Sequence, residues 1–119
     1  MSQIQPHYSP YIKANNLIFT SGQLPLIDRA TKKNAVGIRA QTMLVLKKVE
    51  NLIASEGLTR KDIIKTTAYI TNINDWGIVN EVYYEFFGEH KPARSIIPVS
   101  DLHFGCLIEL EAIASLPDR

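Results

Sequence analysis

The sequence predicts a single α+β domain whose elements follow the order β-β-α-β-α-β-β. Two stretches repeat apolar residues with a helical period, several shorter stretches alternate them with a period of two, and turn-forming residues separate these stretches. A chain of 119 residues can bury one core of modest size, so we treat residues 1–119 as one domain. Two helices and five strands suit a sheet with both helices on one face.

The chain begins with an irregular lead-in followed by a predicted β-hairpin. Its strands are residues 12–14 and 17–21, and Asn15 and Asn16 between them tolerate the positive φ of a tight turn. Residues 25–34 contain the charged segment DRATKKN, which favours a solvated loop.

Residues 36–56 predict the first helix, and Gly57 is suited to end it. We expect Lys47, Lys48 and Glu50 to face away from the core. The apolar stripe of this helix consists of Ile38, Val45, Leu46, Val49, Leu52 and Ile53.

Residues 76–87 predict the second helix, which Asn74 or Asp75 can cap and Gly88 can end. We expect Trp76 to lie in the core. The same expectation applies to the remaining apolar side chains of this helix, Ile78, Val82, Phe86 and Phe87.

Three further strands are predicted over residues 62–70, 94–99 and 107–114, from their alternating apolar residues. In the first of these strands, one face is expected to carry Ile64, Thr66, Ala68 and Ile70.

The sheet face that the helices leave open is expected to be an interface. It combines apolar residues with Glu109 and Glu111, and Arg94 is a further candidate for this face. An exposed apolar face of that extent usually marks a contact surface. We therefore predict a homo-oligomer in which the charged residues lie at or beside the contact between subunits.

Two strands carry a charge where a strand should be buried. Arg94 lies beside Ser95 and Ile96, and Glu109 interrupts an apolar run. An unpaired buried charge is costly, and the planar guanidinium binds both oxygens of a carboxylate, so we expect Arg94 and Glu109 to meet in one semi-buried place. Residue types alone favour a structural ion pair over a catalytic one.

Composition and charge narrow the function classes. The net charge of +1 does not attract nucleic acid or an acidic membrane surface, and apolar runs are too short to span a bilayer. We see no secretory signal, and one cysteine fits a reducing compartment, so we expect a cytoplasmic protein.

Cys106 is expected to be a small buried residue, and the histidines lack metal-ligand spacing, so no metal is expected.

Four segments resemble the RidA/YjgF/UK114 family of reactive-intermediate deaminases: YSPYIKANNLIFTSGQLP, IKTTAYITNINDW, VNEVYYEFFGEHKPARS and LIELEAIA. The resemblance implies a chorismate-mutase-like subunit that forms a homotrimer, with active clefts between subunits and no metal or organic cofactor. It also implies hydrolysis of 2-imino acids or their enamine tautomers (2-aminoacrylate, 2-iminopropanoate or 2-iminobutanoate) to 2-oxo acids and ammonia.

The resemblance also implies roles for individual residues. Arg94 matches the residue that binds the substrate carboxylate, and Glu109 matches the acid that positions and activates water. Ile96 stands where many members have Cys, and this difference matters little if the position contributes to the pocket through its backbone N–H. The other positions that match the substrate pocket are Tyr8, Ser21, Gly22 and Asn80.

This sequence departs from the family pattern beside the pocket, at Pro6-His7, Pro10-Tyr11 and His103. These departures leave room for a second hypothesis, a non-catalytic protein that binds small carboxylates such as 2-oxo acids. A third hypothesis, RNA cleavage or chaperone-like activity, has also been attached to the family. The neutral charge and the lack of a basic aromatic face argue against nucleic acid.

Overall fold

The computed structural model describes residues 6–117. Its strands are β1 (Tyr11–Ala14), β2 (Leu17–Thr20), β3 (Leu26–Asp28), β4 (Lys33–Asn34), β5 (Ile63–Ile70), β6 (Ala93–Pro98) and β7 (Ile108–Ser115), and its helices are α1 (Ile38–Ala54) and α2 (Trp76–Phe87). Short 3-10 turns occupy Arg60–Asp62, Ile73–Asp75 and His103–Gly105.

The main sheet has the strand order β1-β2-β7-β5-β6. Its neighbouring strands are antiparallel except for β5 and β6, which are parallel and connected through α2. A parallel pair needs such a crossover, and here it brings β6 to the edge of the sheet.

Both helices pack on one face of this sheet, as the sequence predicts. The helices and that face share one core, which includes Ile18, Val45, Leu46, Val49, Ile53, Ala68, Ile70, Val82, Phe86, Leu110 and Ala112. The other face carries half-buried residues, which are Thr67, Tyr69, Glu109, Glu111 and Ile113. The α+β class and the element order of the main sheet are confirmed.

The loop predicted over residues 25–34 is wrong in part, because β3 and β4 form a small separate sheet there. Strand pairing over so few residues leaves no clear alternation in the sequence. Asp28 stabilises the turn between them by accepting hydrogen bonds from the N–H groups of Ala30 (2.9 Å) and Thr31 (3.4 Å).

One prediction of strand face and two predictions of burial are also wrong. Ile64 is 43% exposed and Ile63 takes its place on the buried face, because the pairing of β5 with β7 shifts register between Ile63 and Lys65. Trp76 is 44% exposed, since it lies at the first position of α2. Lys48 is half-buried and directed at the segment before β3.

The first helix is shorter than its predicted range. It begins at Ile38 because Gly37 adopts a φ of 87°, and Val36 before it is 89% exposed. Within residues 6–117, none of the helices has the length and apolar character needed to cross a membrane.

Candidate active site

The structure places Arg94 and Glu109 on opposite faces of the sheet. β6 pairs Arg94 with Thr66 of β5, whereas β7 pairs Glu109 with Tyr69 of β5. Residues at even and odd positions of β5 point to opposite faces, so Arg94 shares the helix face and Glu109 the open face. The prediction that these two charges meet is therefore wrong for a single chain, and so is the structural ion pair between them.

Arg94 lies against α2. Its Nη1 donates a hydrogen bond to Oδ1 of Asn80 (2.9 Å), and its guanidinium lies 4.9 Å from the ring centre of Tyr83 and 5.2 Å from that of Trp76. Cation–π contacts and one amide oxygen thus orient the guanidinium. The Tyr83 hydroxyl is bonded to Oγ1 of Thr66 (2.7 Å), and burial raises the pKa of Tyr83 to about 12, so the phenol stays neutral.

The Arg94 half-site is a cavity of about 440 Å³ beside this guanidinium. Among residues 6–117, the ion pairs do not include Arg94, and its hydrogen bond to Asn80 uses only part of its N–H fork. The remaining N–H groups can bind an anion from outside the chain. Ile96, two positions further along β6, packs against the core.

The Glu109 half-site is a second cavity, of about 550 Å³, lined by Glu109, Tyr8, Ser21 and Gly22 together with other residues. Ser21 fixes the lead-in segment at its rim, because its Oγ donates to the carbonyl of Ser9 (2.6 Å) and its N–H donates to that of Pro10 (2.9 Å). These bonds hold the segment that carries Tyr8 over the cavity.

At position 22, only glycine fits beside the Glu109 carboxylate in its present position. Backbone hydrogen bonds between Gln23 and Leu110, of 2.7 and 3.1 Å, hold this segment against β7. A Cβ at Gly22 would overlap the carboxylate oxygen and lie 2.9 Å from Cδ of Glu109. The glycine therefore permits close approach of the backbone to the acid.

Glu109 holds its proton more tightly than an exposed carboxyl group. Burial raises the pKa of Glu109, the negative charge of Glu111 raises it further, and His103 opposes these effects. The Tyr69 hydroxyl donates to Oε1 of Glu111 (3.0 Å), which fixes the second acid on the same face. A carboxylate with a raised pKa in a cavity can act as a general base.

If Glu109 acts as a general base, substituting Gly22 with Ala should lower kcat by about tenfold to a hundredfold, because the new methyl group displaces the Glu109 carboxylate from its position. Steady-state kinetics of the reaction proposed below would measure the loss. Gly77→Ala is the matched control, since Gly77 lies in α2 with open space at its Cβ. Unchanged kcat in a folded Gly22→Ala protein would contradict the assigned role of this contact.

Together the structure brings Tyr8, Ser21, Gly22 and Glu109 to one cavity and Asn80 and Arg94 to the other. Sequence reasoning missed the cations of the Glu109 cavity, which are Arg29, Lys32 and Lys48. Only the position of Lys48 at the border of the apolar stripe of α1 hinted at its burial.

Cys106 is buried, and its Sγ lies 3.3 Å from Oδ1 of Asn34. In the described part of the chain, no cluster of His, Cys, Asp or Glu side chains could hold a metal ion.

The fold defines an α+β protein with two cavities, one beside the Arg94 guanidinium and the other beside the Glu109 carboxylate. Residues 2–116 match the model of the endoribonuclease L-PSP family. A RutC family protein of Pyrococcus horikoshii is 45% identical over 108 residues, which cover 90% of this chain and 85% of that protein. Reactive Intermediate Deaminase A of Arabidopsis thaliana is 38% identical over 109 residues, covering 92% of this chain and 58% of the plant protein.

A crystal structure of Escherichia coli TdcF with bound serine is 36% identical, with a TM-score of 0.85, and the match covers 97% of this chain and 91% of that one. The chain belongs to the endoribonuclease L-PSP family, whose members include the RidA/YjgF proteins. The resemblance found in the sequence is therefore confirmed.

Proposed function

We propose that this chain is an enzyme that hydrolyses 2-imino acids and their enamine tautomers to 2-oxo acids and ammonia. The substrates we propose are 2-aminoacrylate, 2-iminopropanoate and 2-iminobutanoate. One observation carries the proposal: a cavity-lining carboxylate and an unpaired guanidinium occupy opposite faces of the same sheet. Relatives named reactive intermediate deaminases support the reaction class.

We also propose that each active site forms between two copies of the chain. A single copy holds the two half-sites apart, so a contact that places one copy's Arg94 against another's Glu109 would complete the site. Such a head-to-tail contact generates a ring where its rotation closes, and the resemblance implies a closed homotrimer. Phe19 and Ile97, each 40% exposed and on the open face, supply apolar surface for the contact.

The proposed reaction assigns one task to each charge. The Arg94 guanidinium binds the substrate carboxylate through two N–H groups and orients the imine. An enamine first takes a proton from solvent at C3 and becomes the protonated imine. Glu109 accepts a proton from water as the oxygen attacks C2 of this imine, and returns the proton to the nitrogen of the tetrahedral adduct. The C–N bond then breaks to release ammonia, and the C2 hydroxyl loses its proton to give the 2-oxo acid. The free cysteine, Cys106, is compatible with the cytoplasmic location that we propose.

The value of kcat/KM should fall as the pH drops through the pKa of Glu109 in the free enzyme. Only the carboxylate accepts a proton from water, and burial raises this pKa, so activity is present above the pKa and lost below it. The loss should begin at a higher pH than for an exposed glutamate. A pH–rate profile measures it, and an acid limb that persists unchanged in Glu109→Gln would contradict the assignment.

The function is tested by generating 2-aminoacrylate with a serine dehydratase and following pyruvate release. We expect the protein to accelerate release well beyond the spontaneous rate. Equal rates with and without the protein would contradict the proposal.

A specific observation favours the second candidate, a non-catalytic binder of small carboxylates. The structure of E. coli TdcF contains bound serine, which shows that this relative holds an amino acid. Saturable binding of 2-oxobutanoate without turnover of any imine would support this alternative. RNA cleavage, named in the family description, would be supported only by nuclease activity that survives stringent purification and is lost in Glu109→Gln.

A further inference from the structure

The Glu109 cavity contains more positive charge than imine hydrolysis requires. Arg29 and Lys32 reach it from the turn between β3 and β4, and Lys48 reaches it from α1. Among the described residues that line the cavity, Glu109 is the only carboxylate. The cavity is thus lined by one carboxylate and three cations.

Lys48 is the innermost of these cations and is only partly satisfied. Its Nζ donates hydrogen bonds of 2.7 Å to the carbonyl oxygens of Leu24 and Leu26. An ammonium group has one further N–H, and no described residue accepts it. Burial lowers the pKa of Lys48, the nearby charge of Arg29 lowers it further, and Cys106 opposes these effects.

The nearest acids do not neutralise the cluster. Asp28 precedes Arg29, but its carboxylate accepts hydrogen bonds from backbone N–H groups of the turn. Lys32 lies 5.3 Å from the ring centre of Phe104. Within residues 6–117, the ion pairs include none of the three cations. A bound anion would attract all three cations and would offset the desolvation of Lys48, the half-buried one.

The cavity also has room for a larger ligand. Its volume of about 550 Å³ lies within the range of pockets that hold drug-sized molecules, whereas 2-iminopropanoate carries only a methyl side chain. If Arg94 of a second copy binds the α-carboxylate, the cations around Lys48 remain available for a different group of the substrate.

We propose that Lys48, Arg29 and Lys32 form a second anion subsite, and that this chain accepts imino acids whose side chain ends in a carboxylate. The inference rests on the proposed deaminase function. The reaction is unchanged: water adds to the C=N carbon, ammonia leaves, and the product is a 2-oxo dicarboxylic acid. An RNA phosphate is the less favoured occupant, because the cations line a cavity and the net charge is only +1.

The test compares 2-iminosuccinate, made from L-aspartate by an aspartate oxidase, with 2-iminopropanoate, made from L-alanine by an amino-acid oxidase. The imine that remains at each time is trapped with semicarbazide, and its decrease gives the rate of hydrolysis. We expect Arg29→Gln and Lys48→Met to raise KM for 2-iminosuccinate about tenfold more than KM for 2-iminopropanoate. Lys47→Gln, an exposed neighbour on α1, is the control and should change neither value.

Equal effects of Arg29→Gln on the two substrates, or no effect on either, would overturn the subsite. Arg29 is exposed, so this variant tests the charge even if Lys48→Met disturbs the loop that Lys48 holds. If the wild type hydrolyses neither imine, the proposed function fails and calorimetry tests the subsite alone. Tighter binding of 2-oxoglutarate than of 2-oxobutanoate, reduced in Arg29→Gln, would then support it. Equal affinities, or tighter binding of adenosine monophosphate than of 2-oxoglutarate, would overturn it.

Discussion

Replacing Glu109 with Gln should lower kcat for imine hydrolysis by about 10²- to 10⁴-fold, the range that a positioned general base contributes. The amide keeps the size of the side chain but cannot accept a proton from water. KM should change far less, because in the proposed site the main contact to the substrate carboxylate comes from Arg94. Stopped-flow or steady-state measurement of 2-oxo acid release would give both constants.

Glu111→Gln is the matched control for this prediction. Glu111 lies on the same face of β7 and its charge raises the pKa of Glu109, yet its own carboxylate is bonded to Tyr69. We expect the variant to keep most of its activity and to shift the acid limb of the pH profile to lower pH. A loss as large as that of Glu109→Gln would show that the roles of the two acids are wrongly assigned.

Replacing Arg94 with Ala should lower kcat/KM by about 10²- to 10³-fold, because two charge-assisted hydrogen bonds to the substrate carboxylate disappear. Arg94→Lys should recover only part of the loss, since an ammonium group cannot match the planar fork. Steady-state kinetics with 2-iminobutanoate would measure these values.

Arg39→Ala serves as the control for Arg94. Arg39 is an arginine outside both cavities, paired with Glu81 (2.6 Å) and Glu85 (2.8 Å) on the surface. Such exposed pairs contribute little, so kinetics should be unchanged. If Arg94→Ala hydrolyses the imine as fast as the wild type, the assigned site is wrong.

The sequence predicted the helices and the main strands well because each has a clear period. α2 has the predicted bounds, and the stripe from Ile38 to Ile53 lies in or beside the core. The errors fall where local pattern gives no information. The β3–β4 pairing is too short to leave a clear alternation of apolar residues, and the register shift in β5 exchanges the faces of Ile63 and Ile64.

The candidate site illustrates the same limit more sharply. Residue types and the family resemblance pointed to Arg94 and Glu109, but the face of each residue depends on how its strand pairs. The parallel pairing of β6 with β5 puts Arg94 on the helix face, and the antiparallel pairing of β7 puts Glu109 on the other. The alternation of side chains along one strand does not show which residues of two different strands share a sheet face. That depends on the register in which the strands pair, which the tertiary structure sets.

Subunit mixing tests most directly the claim that two copies build each active site. Arg94→Ala and Glu109→Gln proteins would be unfolded together, refolded at equal concentration, and assayed beside each variant refolded alone. In a closed ring, random assembly joins an intact Arg94 half-site to an intact Glu109 half-site at about one quarter of the contacts. The account predicts recovery of about one quarter of wild-type activity in the mixture. The formation of mixed oligomers would be verified separately. If these oligomers are no more active than the separate variants, the claim that two copies build each active site is contradicted.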